Sequence, residues 1–177
     1  MKAFRLVAGF LVLLAASAAV AQDFARSGLY AQFNGVANFE SFDDFSSSSI
    51  DTAVGVGGRF GFRLAPNFAV ESMVEWSGDF VDCCGTDLTS TLVTMNGRYY
   101  VLTDQWQPYA TLGLGWGFAD INPGPSEDGF VLRFGGGLDY YLSESWGLTA
   151  EFAYNLATGD LDDFNYMSLG WGAFIRF

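Results

Sequence analysis

The sequence predicts an all-β protein, an eight-stranded antiparallel up-and-down transmembrane β-barrel. Three observations lead to this fold class. Apolar and polar residues alternate with period two in eight separate runs, no stretch after the N-terminal region is long and apolar enough for a spanning helix, and the connections between the runs alternate between long and short. Successive side chains of a strand point to opposite faces, so this alternation is typical of strands with one apolar face.

The composition excludes several classes of protein before any motif is considered. Of the 177 residues, 50% are hydrophobic and 18% are aromatic, but only 16% are charged, and histidine is absent. A disordered acidic chain lacks aromatic residues, and a nucleic-acid-binding protein needs a basic surface, so neither class fits. A chain without histidine also cannot build a histidine-based catalytic triad or general base. We therefore expect no nucleic-acid partner and no cofactor.

Residues 1–21 are predicted to be a cleaved secretory signal peptide. Lys2 and Arg5 precede an apolar run from Leu6 to Val20, which is about 15 residues long and falls short of the ~20 that a spanning helix needs. The sequence Ala-Val-Ala then matches a signal-peptidase site, so the barrel domain is predicted to occupy residues 22–177. This mature chain has 20 acids, six arginines and no lysine, which gives a formal charge of −14.

Each strand is justified by its own division between two faces. The predicted runs lie, in order, at residues 29–37, 52–64, 68–77, 93–101, 109–118, 130–140, 146–155 and 167–177. The apolar parity of successive runs includes Leu29 and Phe33, Phe60 and Phe62, Val74 and Trp76, Val93 and Met95, Leu112 and Trp116, Leu132 and Phe134, Leu148 and Phe152, and Leu169 and Trp171. The fourth run is the least regular. We expect eight strands and no helix.

The connections between these strands give the barrel a direction. Residues 39–51, 78–88, 119–129 and 157–165 are predicted as long, acidic loops, and three short turns lie between them at residues 65–67, 103–107 and 143–145. Outer-membrane barrels have long extracellular loops and short periplasmic turns, so both chain termini are predicted to lie on the periplasmic side.

The charged parity is predicted to face the lumen. It contains five of the six mature arginines and four acids, a nearly neutral set, as expected for charges enclosed together. Its members are Arg59, Arg63, Glu71, Glu75, Arg98, Arg133, Asp139, Glu151 and Arg176. The opposite parity is aromatic near the strand ends, where outer-membrane barrels carry aromatic girdles. We predict a structural ion-pair network, with a narrow ion path through these charges as the alternative.

With these features the sequence resembles the small eight-stranded outer-membrane proteins typified by the OmpA transmembrane domain and OmpX. The resemblance covers the whole mature chain. It is most specific in the last strand, where Gly172, Ile175 and Phe177 resemble the signal by which such barrels are recognised for assembly. The resemblance implies a bacterial outer-membrane protein that contacts lipid and lipopolysaccharide, engages the barrel-assembly machinery through its last strand, and serves envelope integrity, adhesion or surface recognition.

Two features of the loops leave alternatives open. Cys83 and Cys84 are adjacent in the second loop, and export permits either a vicinal disulfide or a link between molecules, with metal binding as a weaker third choice. The loops hold 13 of the 20 acids, most densely at residues 160–163. Oxygen-rich loops can bind Ca²⁺, but this spacing departs from the calcium-loop pattern, so solvated, mutually repelling loops are expected instead of a metal site.

These observations predict a non-enzymatic outer-membrane protein that displays acidic loops to an extracellular ligand that the sequence does not identify. A narrow ion or small-solute pore is the first alternative, disfavoured because eight strands leave little more than side-chain room inside. An enzyme acting on outer-membrane lipid is the second, disfavoured because such enzymes rely on a histidine, which this chain lacks.

Overall fold

The structure is a computed structural model that describes residues 23–40, 52–78, 87–122, 126–161 and 165–177. The strands are Gly28–Glu40 (β1), Thr52–Ala65 (β2), Phe68–Gly78 (β3), Asp87–Tyr100 (β4), Trp106–Asn122 (β5), Ser126–Tyr141 (β6), Trp146–Ala157 (β7) and Tyr166–Arg176 (β8). Each strand pairs antiparallel with the next, and β8 pairs with β1, so the sheet closes into a barrel. The predicted fold class is confirmed.

Alternate residues of each strand point out of the barrel and into it. In β2, Phe60 and Phe62 expose 54% and 40% of their surface, whereas Arg59 and Arg63 between them expose 4% and 2%. The same division holds around the barrel, and large apolar side chains such as Trp171 cover the outside. The apolar parity therefore forms the outer surface of the barrel, and the charged parity lines the lumen.

Three short connections lie at one end of the barrel, at residues 66–67, 101–105 and 142–145. The first residue of β1 and the last of β8 lie at this same end, which we call the turn end, and the opposite end is the loop end. In outer-membrane barrels the short connections face the periplasm, so this arrangement predicts that the loop end faces the cell exterior.

The strands extend further toward the loop end than the sequence indicated. The predicted third loop at residues 119–129 is wrong, because β5 continues to Asn122 and β6 begins at Ser126, with Asp120 still paired to Ser126. β4 similarly begins at Asp87, inside the predicted second loop. A hairpin that rises above the membrane has water on its outer face, so its strands need no apolar alternation and resemble loops in the sequence.

One short helical turn, at Gly159–Leu161, departs from the expectation of no helix. Gly159 has a φ of 83°, a left-handed conformation that glycine adopts without steric strain. The turn brings Leu161 into the barrel, where only 4% of its surface is exposed. Within the parts of the chain that the structure describes, no helix is long and apolar enough to cross a membrane.

Glycines on the inner face make room for the aromatic side chains of neighbouring strands. Tyr30 of β1 pairs with Gly61 of β2, and Tyr109 of β5 pairs with Gly137 of β6. In both pairs a Cβ atom on the glycine would overlap the tyrosine ring. Because glycine has no side chain, the tyrosine of the neighbouring strand can lie against the inner wall and extend toward the centre of the lumen.

The lumen as candidate functional site

The lumen of the barrel contains three layers of side chains. The middle layer is the central network, which consists of Arg59, Glu71, Glu75, Arg98, Arg133, Asp139 and Glu151. Toward the loop end lies the apolar cap, which overlaps the central network in height, since Met73 pairs with Arg59, and consists of Ala53, Met73, Leu92, Ala119, Val131, Ala157, Leu161 and Tyr166. Toward the turn end lies the turn-end layer, which consists of Arg63, Gln107, Tyr141 and Arg176.

Glu151 of β7 is the centre of the central network. Arg59 donates two hydrogen bonds to its carboxylate, at 2.6 and 2.7 Å, and Arg133 donates one at 2.9 Å. The Tyr109 hydroxyl donates a further hydrogen bond at 2.9 Å, and Nη2 of Arg98 lies 3.5 Å from Oε2. One carboxylate therefore receives three guanidinium groups and a phenol, with both of its oxygens used, and all five side chains are held in fixed positions.

Glu71 of β3 links the same arginines from the other side of the lumen. Nη1 of Arg59 lies 3.0 Å from Oε1, Nε of Arg98 lies 3.1 Å from Oε2, and the Tyr30 hydroxyl donates to Oε2 at 2.8 Å. Arg98 also stacks over the ring of Tyr109, with its guanidinium carbon 4.3 Å from the ring centroid. Arg98 is completely buried, so these contacts take the place of water around its charge.

The remaining two carboxylates make looser ion pairs and rely more on neutral donors. Asp139 accepts hydrogen bonds from Thr149 at 2.7 Å and from Tyr100 at 3.2 Å, and its ion pair with Arg98 is 3.6 Å long. Glu75 accepts from an asparagine of β1 at 3.1 Å and lies 3.8 Å from Arg133. The network is therefore tightest around Glu151 and weakens toward both ends of the lumen.

Arg63 and Arg176 do not join this network, although the sequence grouped them with it. Arg63 donates to Gln107 at 2.7 Å and to the carbonyl oxygen of Pro66, and Arg176 donates to the Tyr141 hydroxyl at 3.4 Å. Among the ion pairs of the described residues, none involves either arginine. Both arginines lie closer to the turn end than the carboxylates of the central network. The alternation of side chains correctly predicted that they point into the lumen, but it could not predict their position along the barrel axis.

Tyrosines contribute to the lumen in a way that the charge pattern did not indicate. Tyr30, Tyr100 and Tyr109 each donate a hydroxyl to a different carboxylate of the central network. All three lie on the inward parity of their strands. That parity is the signal that could have identified them, but only the register shows which carboxylate each hydroxyl reaches.

The residues resembling an assembly signal lie in the seam between β8 and β1 without converging on one point. Ile175 and Phe177 point outward and are 49% and 65% exposed. Gly172 points inward, where a Cβ atom would collide with the carbonyl oxygen of Phe33 in β1. Cys83 and Cys84 lie outside the described residues.

Chemically, the charges of the central network are paired with one another, although some guanidinium nitrogens, among them Nε of Arg59 and of Arg133, make no hydrogen bond within the described part of the chain. The described residues contain no group of three or more acids or cysteines arranged to hold a metal ion. The acids and arginines of the central network already serve as partners of each other. This arrangement can stabilise a closed barrel and fix the relative positions of its strands.

None of the curated proteins matches this chain in sequence. Solved structures match it in fold. Neisserial surface protein A superposes with a TM-score of 0.72 at 17% identity, covering 85% of this chain and 98% of that one. Ail of Yersinia pestis gives 0.62 at 19% identity, covering 86% and 100%, and OprG of Pseudomonas aeruginosa gives 0.61 at 17%, covering 86% and 97%. At these identities the likeness shows the fold alone.

Family membership follows from a comparison of the sequence with family models. Residues 6–177 match the outer membrane protein beta-barrel domain, and the solved structures of the same fold are outer-membrane proteins. The resemblance to small eight-stranded outer-membrane proteins and the predicted location are thereby confirmed. The chain belongs to the outer membrane protein beta-barrel domain family and resides in the bacterial outer membrane.

Proposed function

We propose that this protein is a closed, non-catalytic platform whose function is carried by the acidic loops that it displays at the cell surface. The filled lumen is the observation that carries the proposal. Glu151 is hydrogen-bonded to Arg59, Arg133 and Tyr109 across the middle of the barrel, and the buried side chains of the apolar cap fill space toward the loop end. An eight-stranded barrel has room for little beyond such side chains. The family is also not typically one of enzymes.

The charge of the loops indicates what kind of partner they can recognise. The predicted loop segments 39–51, 78–88, 119–129 and 157–165 hold 13 acids and no base. Ail, one of the proteins with the same fold, has been solved in complex with the heparin analogue sucrose octasulfate, which is a polyanion. Loops as acidic as those of the present chain repel a polyanion, so we infer a basic partner surface or one bridged by divalent cations.

Surface display is tested with an epitope inserted at two places. An insertion within the serine run at residues 46–49 is expected to be bound by antibody on intact cells, because the loop end faces outward. The matched control carries the same epitope in the turn at residues 142–145, and it is expected to be bound only after the outer membrane is permeabilised. Binding of both insertions, or of the control alone, on intact cells would contradict the proposed display.

The closed lumen is tested by recording currents across planar lipid bilayers that contain the purified barrel. We expect no stable conductance above the baseline. A reproducible single-channel conductance would show that the narrow pore, rather than the closed platform, is the correct alternative.

The role of loop charge is tested by binding of intact cells to immobilised polylysine and to immobilised heparin. The wild-type protein is expected to raise binding to polylysine in a salt-sensitive manner and not to heparin. Replacing Asp43 and Asp44 by asparagine should weaken the polylysine binding.

Sensitivity to detergent separates a role in envelope integrity from a role in surface recognition. If cells without the protein become sensitive and the loop variant fully restores their resistance, integrity depends on the barrel and not on the loop charges.

A further inference from the structure

The N-terminal segment, residues 23–27, lies across the turn end of the lumen and contacts it through main-chain oxygens. The carbonyl oxygen of Phe24 accepts hydrogen bonds from Nη1 of Arg176 at 2.6 Å and from Nη1 of Arg63 at 3.3 Å. The carbonyl oxygen of Asp23 accepts from Nη2 of Arg176 at 2.8 Å. Two consecutive peptide carbonyls are thus bound by two arginines of the turn-end layer.

Further contacts fix the conformation of the same segment. Gln107 donates from Nε2 to the Phe24 oxygen at 3.1 Å, and the Phe24 ring packs on Tyr141 with 5.4 Å between the ring centroids. The Asp23 carboxylate accepts from the backbone N–H of Ala25 at 3.1 Å, which holds a local turn. The segment is therefore seated by its backbone and by one aromatic side chain, while its other side chains remain near the surface.

The carbonyls of this segment are the main acceptors of Arg176 and also serve Arg63. Arg63 and Arg176 expose only 2% and 3% of their surface, and none of the ion pairs of the described residues involves them. A buried guanidinium without acceptors is strongly unfavourable, so its donors must find oxygen atoms. Without the N-terminal segment, the Arg176 guanidinium would keep its 3.4 Å hydrogen bond to the Tyr141 hydroxyl and its position over the ring of that tyrosine.

The anchoring side chains come from strands spread around the barrel. Arg63 lies in β2 near the turn end, and Gln107 lies in β5. Tyr141 is the last residue of β6, and Arg176 is the last residue of β8. The segment itself is continuous with β1. It therefore connects the first strand, across the lumen, to the far wall and to the strand with which β1 closes the barrel.

We propose that the turn end of the lumen is a binding site for the main-chain carbonyls of a short peptide segment in a turn conformation, and that residues 23–27 occupy it as a clasp that holds the closed barrel together. Recognition is through main-chain carbonyls, so the site accepts varied side chains apart from the aromatic ring that packs on Tyr141. The clasp becomes complete only after β8 has paired with β1, because Arg176 lies at the end of β8.

The test uses a double-mutant cycle on the refolded barrel. One variant lacks residues 22–26, a second carries Arg176→Gln, and a third carries both changes. We measure the temperature at which the folded form is lost on SDS gels of unboiled samples. Each single change is expected to lower that temperature by about 5 °C or more, because charge-assisted hydrogen bonds are lost. In the truncated background, Arg176→Gln should lower it much less, since both carbonyl acceptors of the arginine are already gone and only the 3.4 Å hydrogen bond to Tyr141 remains.

A peptide and a point variant serve as controls. The synthetic peptide of residues 22–27, added to the truncated barrel, is expected to restore much of the lost temperature, and a peptide with alanine in place of Phe24 should restore less. Arg26→Gln changes an exposed arginine of the same segment and is expected to leave the temperature unchanged. An unchanged temperature after truncation, or an equal effect of Arg176→Gln in both backgrounds, would overturn the proposal.

A second measurement keeps the proposal testable if the truncated chain does not fold. Trypsin cleaves after Arg26, and a docked segment resists cleavage because a protease needs a freely accessible, extended backbone. In the folded full-length barrel, cleavage after Arg26 is expected to be about tenfold faster in Arg176→Gln than in the wild type, a population change that corresponds to about 1.4 kcal/mol. Equal cleavage rates would show that Arg176 does not hold the segment.

Discussion

Replacing Glu151 by glutamine removes the negative charge at the centre of the lumen and keeps the size of the side chain. In the wild type its carboxylate meets Arg59 at 2.6 Å, Arg133 at 2.9 Å and Arg98 at 3.5 Å, and all four side chains are almost fully buried. The glutamine amide would also direct N–H donors at guanidinium donors. We therefore expect the barrel to lose stability although no atom is added or removed from the packing.

The size of this loss follows from the burial of the group. Removing one partner of a buried ion pair typically destabilises a protein by about 3–5 kcal/mol, because the remaining charge is left without compensation. Here one carboxylate serves three guanidinium groups, so the upper part of that range, about 4–5 kcal/mol, is expected. Glu71 still contacts Arg59 and Arg98, which limits the loss.

The assay is urea unfolding of the barrel in lipid vesicles, followed by tryptophan fluorescence. The same substitution at Glu144, in the turn at residues 142–145, provides the control, with an expected change within about 0.5 kcal/mol. A cycle with Arg133→Gln should be non-additive by about 1 kcal/mol or more, because the two residues are in contact. A folded Glu151→Gln barrel with wild-type stability would refute the assignment of Glu151 as the centre of the network.

Three further predictions concern the seam, the cap and a tyrosine. Gly172→Ala should reduce the fraction of chain that refolds, as judged by the heat-modifiable band on SDS gels, because its Cβ meets a main-chain oxygen of β1; Gly58→Ala, with nothing within 4 Å of the added atom, should refold normally. Leu161→Ala should destabilise the apolar cap by about 2 kcal/mol or more and speed amide exchange at Thr158, and equal exchange rates would argue against insertion of this side chain. Tyr30→Phe keeps the ring and removes the hydrogen bond to Glu71, so the free energy of unfolding in urea should fall by about 1–3 kcal/mol. A Tyr→Phe change on the outer face of the barrel should leave this free energy unchanged.

The alternation of side chains predicted the inner and outer faces because it depends only on local backbone geometry. Arg59 and Arg63 lie on the same parity of β2 and were both placed inside, correctly. Their partners differ because Arg59 reaches Glu71 and Glu151, whereas Arg63 lies four residues further toward the turn end, where it pairs with Gly28. Height in the barrel depends on register between strands, which no single run of sequence contains.

Polarity was a poor guide to the ends of the strands. Asp120 and Ser126 are polar and looked like loop residues, yet they remain paired in the hairpin of β5 and β6. The outer face of this hairpin is already polar near Trp116, whose indole N–H donates to Asp128 at 2.7 Å. Above the aromatic girdle, hydrogen bonding between the strands continues, but no lipid selects for apolar residues on the outer face. The apolar alternation in the sequence therefore stops before the strands end.

By itself the sequence determined the barrel, its eight strands, the face that meets lipid and the end that carries acidic loops, because each depends on a repeating local pattern and on the need to keep charges out of lipid. Only the tertiary structure decided which charges meet. Closure of β8 on β1 brings Glu151 of the seventh strand onto Arg59 of the second, a contact across the lumen between residues 92 positions apart. The same closure places Arg176 beneath the N-terminal segment, since the two ends of the chain become neighbours only when the sheet is complete.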